Sequence, residues 1–228
     1  MRVRAQPETA ILAGVPLFAR LPHEALEDLS TRLRRRRYRR GDVVFYQGDP
    51  GTSLCIVQEG RIKLGLTSSE GREIIFDLLG PGDVFGELAL VDGEPRSADA
   101  AAVEPSELLL LDRDEFLSYL VRRPELAIQM LSTLAWRLRR DAQLLQDAAF
   151  LDVPARLART ILRLAGSTDS GQPRVTPRLT QTDLAGMVGT TRETLNKWLA
   201  FYQDQGMIRW DKGRITVIRA DQLERRIR

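Results

Sequence analysis

A short stretch in the first half of the chain combines residue types that suit a small phosphorylated sugar. Gly86 follows a predicted strand and permits a backbone geometry or close approach that a side chain would block. Glu87 and Leu88 then open a short helical turn, whose first N–H groups lack intrahelical partners and favour an anion. About ten residues later, Arg96 supplies a fork of donors for phosphate oxygens and Ser97 adds a hydroxyl. An ionised Glu87 only accepts hydrogen bonds, so it suits a sugar hydroxyl.

The same stretch resembles a known family motif. Phe-Gly-Glu-Leu at 85–88, followed by Arg-Ser-Ala at 96–98, is similar to the phosphate-binding cassette of the cyclic-AMP receptor protein family, also called the CRP/FNR regulators. The resemblance implies that the arginine and the serine hold a cyclic phosphate and that the glutamate holds the ribose 2′-hydroxyl. Cyclic AMP is then the expected effector, and a surface turn with a chance Arg-Ser pair is the alternative. The expected contacts are Gly86, Glu87, Leu88, Ala89, Arg96, Ser97, Arg137, Asp141 and Ala142.

The stretch from Gly41 to Leu111, which must position this cassette, has the pattern of many short strands. Apolar segments such as 53–57 alternate with glycine-containing breaks such as 48–51. This spacing predicts a double-sheet roll or barrel, and its glycines fall where the cyclic-nucleotide-binding roll of the family has its turns. The short helix of the cassette interrupts the roll, so we expect the ligand inside it.

Helical patterns flank the predicted roll. Apolar spacing predicts a helix over 9–20, and the longest helix is predicted to begin at Pro124 and to end near Ala149. One apolar stripe of the long helix suits packing on its own domain, which leaves the other for a partner and predicts a homodimer. The first stripe is Leu126, Met130 and Leu134. The second stripe is Ile128, Leu131, Ala135, Leu138, Ala142, Leu145 and Ala149.

Three positions on the long helix bear on the nucleotide. Arg137 matches the family position that pairs with the cassette glutamate, so the resemblance implies that it orients Glu87. Asp141 and Ala142 stand where cyclic-AMP-binding relatives often carry Thr-Ser. An ionised Asp141 accepts a hydrogen bond from the exocyclic amine of adenine and is left unpaired or repelled by the carbonyl of guanine, which favours adenine. A solvated helix charge is the alternative for Asp141.

Composition and charge limit the class of protein. The 228 residues suffice for two ordinary domains, and 43% hydrophobic and 29% charged residues are typical of a globular protein. No stretch approaches the roughly 18 apolar residues of a membrane span, and the N-terminus lacks a secretion signal, so we expect a cytoplasmic protein with no membrane partner. Residues 149–228 carry a net charge of +6, whereas residues 1–148 carry −3. The basic C-terminal part is therefore expected to meet nucleic acid.

Few residues are available for metal or covalent chemistry. The single cysteine, Cys55, excludes an intrachain disulfide and a cysteine-held iron-sulfur cluster, on which the redox branch of the family depends. The single histidine, His23, is predicted to lie at a solvated helix start. No catalytic constellation is visible, so the sequence predicts a protein that is not an enzyme. The basic run at 32–40 suits either a polyanion or a solvated first strand, and we favour the strand.

The chain changes character after the long helix. Residues 150–154 form a boundary with defined geometry and a candidate hinge, because Asp152 can cap the next helix and Pro154 suits its first turn. The loop at 166–173 is a candidate surface for a protein partner. We expect an effector domain over 1–123, a dimerisation helix over 124–149 and a DNA-binding domain over 150–228.

The C-terminal part has the pattern of a winged helix-turn-helix. A capped amphipathic helix over 179–188 is followed by a turn at Gly189 and a second helix over 191–199. Val-Gly-Thr-Thr-Arg-Glu-Thr-Leu at 188–195 closely resembles the family signature, and 206–217 resembles the hairpin wing that follows it.

Residue types at the second helix predict how DNA is read. Arg192 can pair with guanine O6 and N7, and Glu193 can accept from a cytosine amine. Lys197 replaces the arginine of close relatives, and its point charge should discriminate less between bases. Phosphate contacts set register without reading sequence. The residues expected to meet DNA are Gln181, Thr182, Thr191, Arg192, Glu193, Thr194, Lys197 and Lys212.

These patterns together predict an α+β chain with an N-terminal double-stranded β-helix (jelly roll), a long dimerisation helix and a C-terminal winged helix-turn-helix. The resemblance implies a homodimeric transcription regulator that binds double-stranded DNA at TGTGA-like half-sites about 34 Å apart and contacts RNA polymerase. Two alternatives stay open. One is a family member that binds DNA constitutively without a nucleotide, and the other is a cyclic-nucleotide-binding regulatory subunit of an enzyme.

Overall fold

A computed structural model describes residues 8–166 and 174–227 of the chain. The described residues divide into two units. The first contains those up to Leu66 and Asp77–Arg140, and the second contains Thr67–Phe76 and those from Asp141 onward. The loop suggested as a partner surface lies almost wholly outside the described residues.

The first unit is built around a β-roll with helices on one side. Its elements are α1 (Glu8–Ala13), α2 (His23–Ser30), β1 (Arg34–Tyr38), β2 (Val43–Phe45), β3 (Ser53–Glu59), β4 (Ile62–Thr67), β5 (Glu73–Leu79), β6 (Val84–Phe85), α3 (Leu88–Val91), β7 (Asp99–Ala102), β8 (Ser106–Asp112), α4 (Arg113–Arg122) and α5 (Pro124–Phe150). Strands β4 and β5 and helix α5 each continue into the second unit.

Two four-stranded sheets form the roll, in the orders β1-β8-β3-β6 and β2-β7-β4-β5. Strands of both sheets contribute side chains to a shared apolar interior that includes Val57, Ile62 and Phe85. Small side chains of β7, Ala100 and Ala102, are buried in the same interior. The arrangement confirms the predicted double-sheet roll.

The N-terminal helix is shorter than predicted. It ends at Ala13, and the chain continues through turns in which the Val15 N–H donates to Leu12 O at 3.0 Å. Pro16 lacks a backbone N–H and disfavours helix at the residue before it, which explains the early end. Phe18 is nevertheless buried, so the apolar spacing that suggested a longer helix reflects packing.

Strand β1 (Arg34–Tyr38) forms the centre of the basic run at 32–40 and is held by acidic residues of the same unit. Arg35 pairs with Glu107 at 2.8 Å, and Arg37 reaches the same carboxylate at 2.5 Å. Arg34 pairs with Asp112. This part of the run therefore belongs to the outer face of the roll.

Helix α5 separates its two apolar stripes as predicted. Leu126 and Met130 are buried and Leu134 packs against the same core. The other stripe is exposed along its length, with Leu138 at 72% and Leu145 at 73% of their accessible area. An exposed row of this size is unusual on a solvated helix and needs a partner surface.

The second unit contains four further helices and a small sheet. Its remaining elements are α6 (Val153–Ala165), β9 (Arg174–Val175), α7 (Gln181–Val188), α8 (Arg192–Asp204), β10 (Ile208–Asp211), β11 (Arg214–Val217) and α9 (Ala220–Ile227). The sheet order is β10-β11-β9, and β10 and β11 form the predicted wing. Leu184 and Val188 of α7 and Leu195 and Leu199 of α8 share one buried core, which confirms the helix-turn-helix.

Local signals set the ends of these helices. Thr180 and Asp183 form a reciprocal capping box, so α7 begins at Gln181 and not at the expected Leu179. Gly189 ends α7 in the left-handed region at φ 68°, where glycine is favoured. The Thr191 side chain then accepts from the Thr194 N–H and caps α8.

The start of β5 packs on α7, which the sequence did not predict. A side chain on Gly186 would place its Cβ 3.2 Å from Glu73 O and 3.2 Å from the Ile75 side chain. The glycine therefore allows the strand backbone to approach the helix closely.

Candidate ligand pocket and nucleic-acid interface

The backbone of the cassette has the geometry that the glycine pattern predicted. Strand β6 ends at Phe85, and Gly86 follows at φ 79°, in the left-handed region. A Cβ on Gly86 would lie 2.4 Å from Arg96 Nη1. Glycine is thus required here both by the backbone conformation and by the arginine packed against it.

Arg96 is buried inside the roll, with 4% of its area exposed. Its Nη1 donates to Gly86 O at 2.5 Å and its Nη2 donates to Ser53 O at 2.7 Å. The guanidinium also lies over the Phe45 ring, 4.3 Å from the centroid. Burial lowers the pKa of Arg96 below its ordinary value, because the charged form is poorly solvated there. An anion at this position would relieve that penalty.

Glu87 is also buried, at 2% exposure, and α5 supplies its partner. Arg137 Nη1 bonds Glu87 Oε1, and Arg137 Nη2 bonds Val84 O. The structure therefore brings together the two residues that the family resemblance pairs. An ion pair this well enclosed fixes the orientation of the carboxylate.

Three buried atoms of the site residues have no partner among the described residues. They are Glu87 Oε2, Arg96 Nε and Arg137 Nε. Most buried polar atoms in folded proteins have a partner, so such exceptions call for a physical reason. Glu87 Oε2 can accept and Arg96 Nε can donate, so these two suit a ligand with a hydroxyl and an anionic oxygen.

The other cassette residues differ in exposure. Ala89 is buried against the turn at 48–51, where a Cβ on Gly51 would lie 2.5 Å from Ala89 Cβ. Leu88 is exposed, and Ser97 is exposed beside the buried Arg96. Their contact with a nucleotide stays a prediction.

A turn that sequence reasoning did not assign to the site supports Arg96. The Arg96 N–H donates to Asp49 O and the Gly48 N–H donates to Arg96 O, both at 2.9 Å. The Asp49 carboxylate accepts from the Tyr46 N–H at 2.8 Å, which closes the turn. The glycine-rich sequence at 48–51 was the available signal.

Asp141 and Ala142 are exposed on α5 and belong to the second unit. Glu87, Arg96 and Arg137 belong to the first unit. The expected contact of Asp141 with a purine base therefore stays a prediction.

The start of α8 presents the predicted reading residues. Arg192 and Glu193 are exposed, and Arg192 Nε donates to Gln181 Oε1 at 3.2 Å, which links the starts of the two helices. Bonding to its own backbone N–H and to the Thr191 hydroxyl lowers the pKa of Glu193, so this carboxylate is ionised and can only accept. Lys197 is exposed one turn further along the helix.

The predicted phosphate contacts lie at the starts of α7 and α8 and in the wing. Thr182 and Thr191 are exposed, and Thr194 is half-buried. The Thr191 hydroxyl caps α8 and donates to Thr194 Oγ1 at 3.2 Å, so both hydroxyls are partly engaged within the protein. Lys212 is exposed at the tip of the wing with φ 46°. These positions suit phosphate binding, which stays a prediction.

Other chemistries find no support in the described part of the chain. Between residues 8 and 166 and between 174 and 227, no group of three or more His, Cys, Asp or Glu is placed to hold a metal ion. Within the same ranges, no helix is both long and apolar enough to cross a membrane. Cys55 is buried, and burial raises the pKa of its thiol to about 12.

Comparison with known proteins gives two domain matches. Residues 35–123 match the cyclic nucleotide-binding domain, and residues 155–226 match the Crp-like helix-turn-helix domain. The first match contains Gly86, Glu87 and Arg96, and the second contains α7, α8 and the wing.

Similar proteins span nearly the whole chain. A CRP-like cAMP-activated global transcriptional regulator of Mycobacterium tuberculosis is 38% identical, over 96% of this chain and 99% of its own length. The cyclic AMP receptor protein of Thermus thermophilus is 35% identical, over 93% of this chain and 97% of its own. The crystal structure of a Thermus thermophilus catabolite activator protein covers 93% of this chain and 98% of its own, with 35% identity and a TM-score of 0.54.

Proposed function

Because the chain belongs to the CRP family of transcription regulators, which are not enzymes, we propose that it is a cyclic-AMP-responsive regulator that binds a palindromic operator as a homodimer. Residues 1–123 would form its effector domain, 124–149 its dimerisation helix and 150–228 its DNA-binding domain. A protein that regulates transcription acts where the chromosome is, which for a bacterial-type regulator is the cytoplasm.

Two of the unpartnered atoms, Glu87 Oε2 and Arg96 Nε, carry the nucleotide part of the proposal. Leaving a buried polar atom without a partner costs about 1–3 kcal/mol. A ribose 2′-hydroxyl can donate to Glu87 Oε2, and a cyclic phosphate can accept from Arg96 Nε. One ligand therefore satisfies both atoms, and its negative charge compensates the buried guanidinium.

A phosphate can bind Arg96 without displacing the bonds that the side chain already makes. Both Nη groups donate to main-chain carbonyls of Gly86 and Ser53. These bonds are already charge-assisted, and losing them would leave two buried carbonyls unpaired. The guanidinium has five N–H donors, so a cyclic phosphate can accept from the free Nε while both carbonyls keep their partners.

The choice of adenine rests on Asp141 and on the relatives. An ionised Asp141 can accept from the adenine amine but has nothing to donate to the guanine carbonyl. The relatives from Mycobacterium tuberculosis and Thermus thermophilus are named for cyclic AMP. We therefore propose cyclic AMP over cyclic GMP as the effector.

The exposed stripe on α5 supports the homodimer. Its apolar residues recur every three or four positions over more than two heptads, which suits the packing of two identical helices. A two-fold dimer presents two copies of α8 about one helical turn of DNA apart. This geometry suits a palindrome with TGTGA-like half-sites, and RNA polymerase would be the protein partner at the promoter.

Ligand control requires unequal affinity for two arrangements of the dimer. Moving the population from about 1:99 to 99:1 takes roughly 5.5 kcal/mol of difference in binding free energy. The contact between Arg137 of α5 and Glu87 lies where the nucleotide would bind, so it is the natural point at which ligand changes the helix.

Calorimetric titration and operator binding together test the proposal. We expect cyclic AMP to release or absorb heat on binding, to bind more tightly than cyclic GMP, and to strengthen binding to a fluorescent TGTGA palindrome in an anisotropy assay. A palindrome bound no better than a random duplex would contradict the DNA-binding part. Equal affinity for the two nucleotides would contradict the role of Asp141.

Constitutive DNA binding is the second candidate, and one observation favours it. Arg96 already has two hydrogen-bond partners, so the pocket could persist without a ligand. The same titration separates the two candidates. No heat and no thermal shift at millimolar cyclic AMP, together with tight operator binding, would favour constitutive action.

A further inference from the structure

One arginine of the second unit holds three main-chain carbonyls from two separate segments. Arg156 lies half-buried in the first turn of α6. Its Nη1 donates to Leu151 O at 2.8 Å, its Nε donates to Val188 O at 2.9 Å, and its Nη2 donates to Gly189 O at 3.3 Å. Leu151 follows α5 directly, whereas Val188 and Gly189 form the turn between α7 and α8.

The turn that Arg156 holds determines where the reading helix starts. The last carbonyls of a helix have no partner within it, and a cation at that end is favourable. Val188 is the last residue of α7, and Gly189 follows in the left-handed conformation. Thr191 caps α8 two residues later. A guanidinium fixed on this turn therefore fixes the first residues of α8.

The segment on the other side of Arg156 is itself firmly held. Asp152 caps α6 through the Ala155 N–H at 2.9 Å and pairs with Arg226 of α9 at 3.0 Å. The buried Asp147, near the end of α5, pairs with Arg159 of α6. The end of α5 and the start of α6 therefore form one cross-linked block.

A second contact from the same block lies near the C-terminal end of α8. The buried Tyr202 hydroxyl of α8 donates to Pro154 O at 2.7 Å. With Arg156 at its start and Tyr202 further along, α8 is held at two points relative to residues 151–154. Two points fix the direction of a rigid helix, whereas one point would leave it free to pivot.

We propose that Arg156 is a positioning residue for operator recognition. It fixes the orientation of α8 relative to the segment that follows α5, and it does so without touching DNA. The inference rests on the proposed function. Arginine suits this role because its planar fork donates in several directions at once, whereas lysine offers a compact ammonium group.

The test compares two substitutions at Arg156 with one control. Arg156→Lys keeps the charge, and Arg156→Gln removes it. Arg225→Gln is the charge-matched control, because the Arg225 side chain is 77% exposed and pairs only loosely with Asp221, at 3.7 Å. Each full-length protein is titrated with cyclic AMP alone and then, with cyclic AMP saturating, with the operator at several salt concentrations. Far-ultraviolet circular dichroism and a thermal melt report on the fold.

We expect both Arg156 variants to bind operator roughly 2- to 30-fold more weakly than wild type, the range found when a coupling residue is changed. Their affinity for cyclic AMP should equal that of wild type. Their dependence on salt should match that of wild type, because losing a phosphate contact would reduce the salt slope by about 1.

Three results would overturn the inference. Operator affinity equal to that of Arg225→Gln would show that Arg156 does not position α8. A salt slope that is reduced in Arg156→Gln and kept in Arg156→Lys would make Arg156 a phosphate contact. Variants that are unfolded at 25 °C would make it a residue of fold stability alone. If wild type itself does not bind the operator, the proposed function is wrong, and this outcome is distinct from the other three.

Discussion

Replacing Arg96 with leucine tests two roles of this side chain separately. One is the set of hydrogen bonds that it makes inside the roll, and the other is its proposed contact with phosphate. Leucine keeps an apolar contact with Phe45 but leaves the carbonyls of Gly86 and Ser53 without their donors. Each unpaired buried carbonyl costs about 1–3 kcal/mol. Removing a buried cation offsets part of this, because burial already disfavours the charged guanidinium and lowers its pKa. We expect the free energy of unfolding to fall by about 2 kcal/mol, or the melting temperature by about 4–8 °C.

The response to ligand gives the clearer difference. A ligand at 100 times its Kd stabilises the state that binds it by about 2.7 kcal/mol. For a chain of this length, that free energy corresponds to a rise in melting temperature of about 5–11 °C. Arg96→Leu has no donor for the phosphate, so we expect no rise at the same concentration of cyclic AMP.

Thermal melts with and without cyclic AMP measure both effects in one experiment. Arg72→Leu is the control, because the Arg72 side chain is 78% exposed and pairs with Glu70 on the surface. We expect the control to melt near wild type and to keep the full ligand response. A rise of several degrees in Arg96→Leu would refute the reasoning, since the phosphate would then bind without this guanidinium.

Four further experiments test other parts of the structure. Glu87→Gln leaves Arg137 without its ionised partner, so urea titration should show about 3 kcal/mol less free energy of unfolding. Burial raises the pKa of Cys55 to about 12, so mass spectrometry should find no alkylation by iodoacetamide at pH 8 in native protein and full alkylation in urea. Burial also raises the pKa of Tyr202 to about 12, above its unfolded value near 10. Its stabilising effect is therefore complete below pH 10 and is lost as pH rises towards 12, so Tyr202→Phe should flatten this fall in urea titrations. Arg192→Ala should lose about 1–3 kcal/mol at one base pair and relax preference there, as measured with single-base operator variants.

Each of these expectations has a contrary result. Unchanged stability in Glu87→Gln would mean that the pair with Arg137 contributes nothing net. Rapid labelling of native protein would place Cys55 within reach of solvent. An identical pH profile in Tyr202→Phe would remove Tyr202 as the titrating group. Equal losses for Arg192→Ala on every operator variant would reduce Arg192 to a phosphate contact.

The parts of the site that local sequence determines were predictable. Gly86 is needed by a left-handed turn and by the arginine packed on it, and both requirements are met within one short stretch. The caps at Asp152, Thr180 and Thr191 likewise depend on side chains that lie within three residues of the N–H groups they bind. Such short-range chemistry leaves a readable pattern.

Contacts between distant segments left no such pattern. The Arg96 guanidinium donates to the carbonyls of Gly86 and Ser53. Because every residue has a main-chain carbonyl, the sequence cannot show which carbonyls will be the partners. The same holds for the three carbonyls that Arg156 binds. The approach of β5 to Gly186 depends on how elements pack, and α7 showed only a glycine within a helix. The early end of α1 was readable, since Pro16 follows it closely.

Helix α5 carries residues of both units. In the first unit its Arg137 holds Glu87, and in the second unit its Asp147 holds Arg159 of α6. Under the proposed function, a ligand hydroxyl on the free oxygen of Glu87 would change the carboxylate that orients Arg137. Within the second unit, α6 also carries Arg156, whose hydrogen bonds hold the turn before α8.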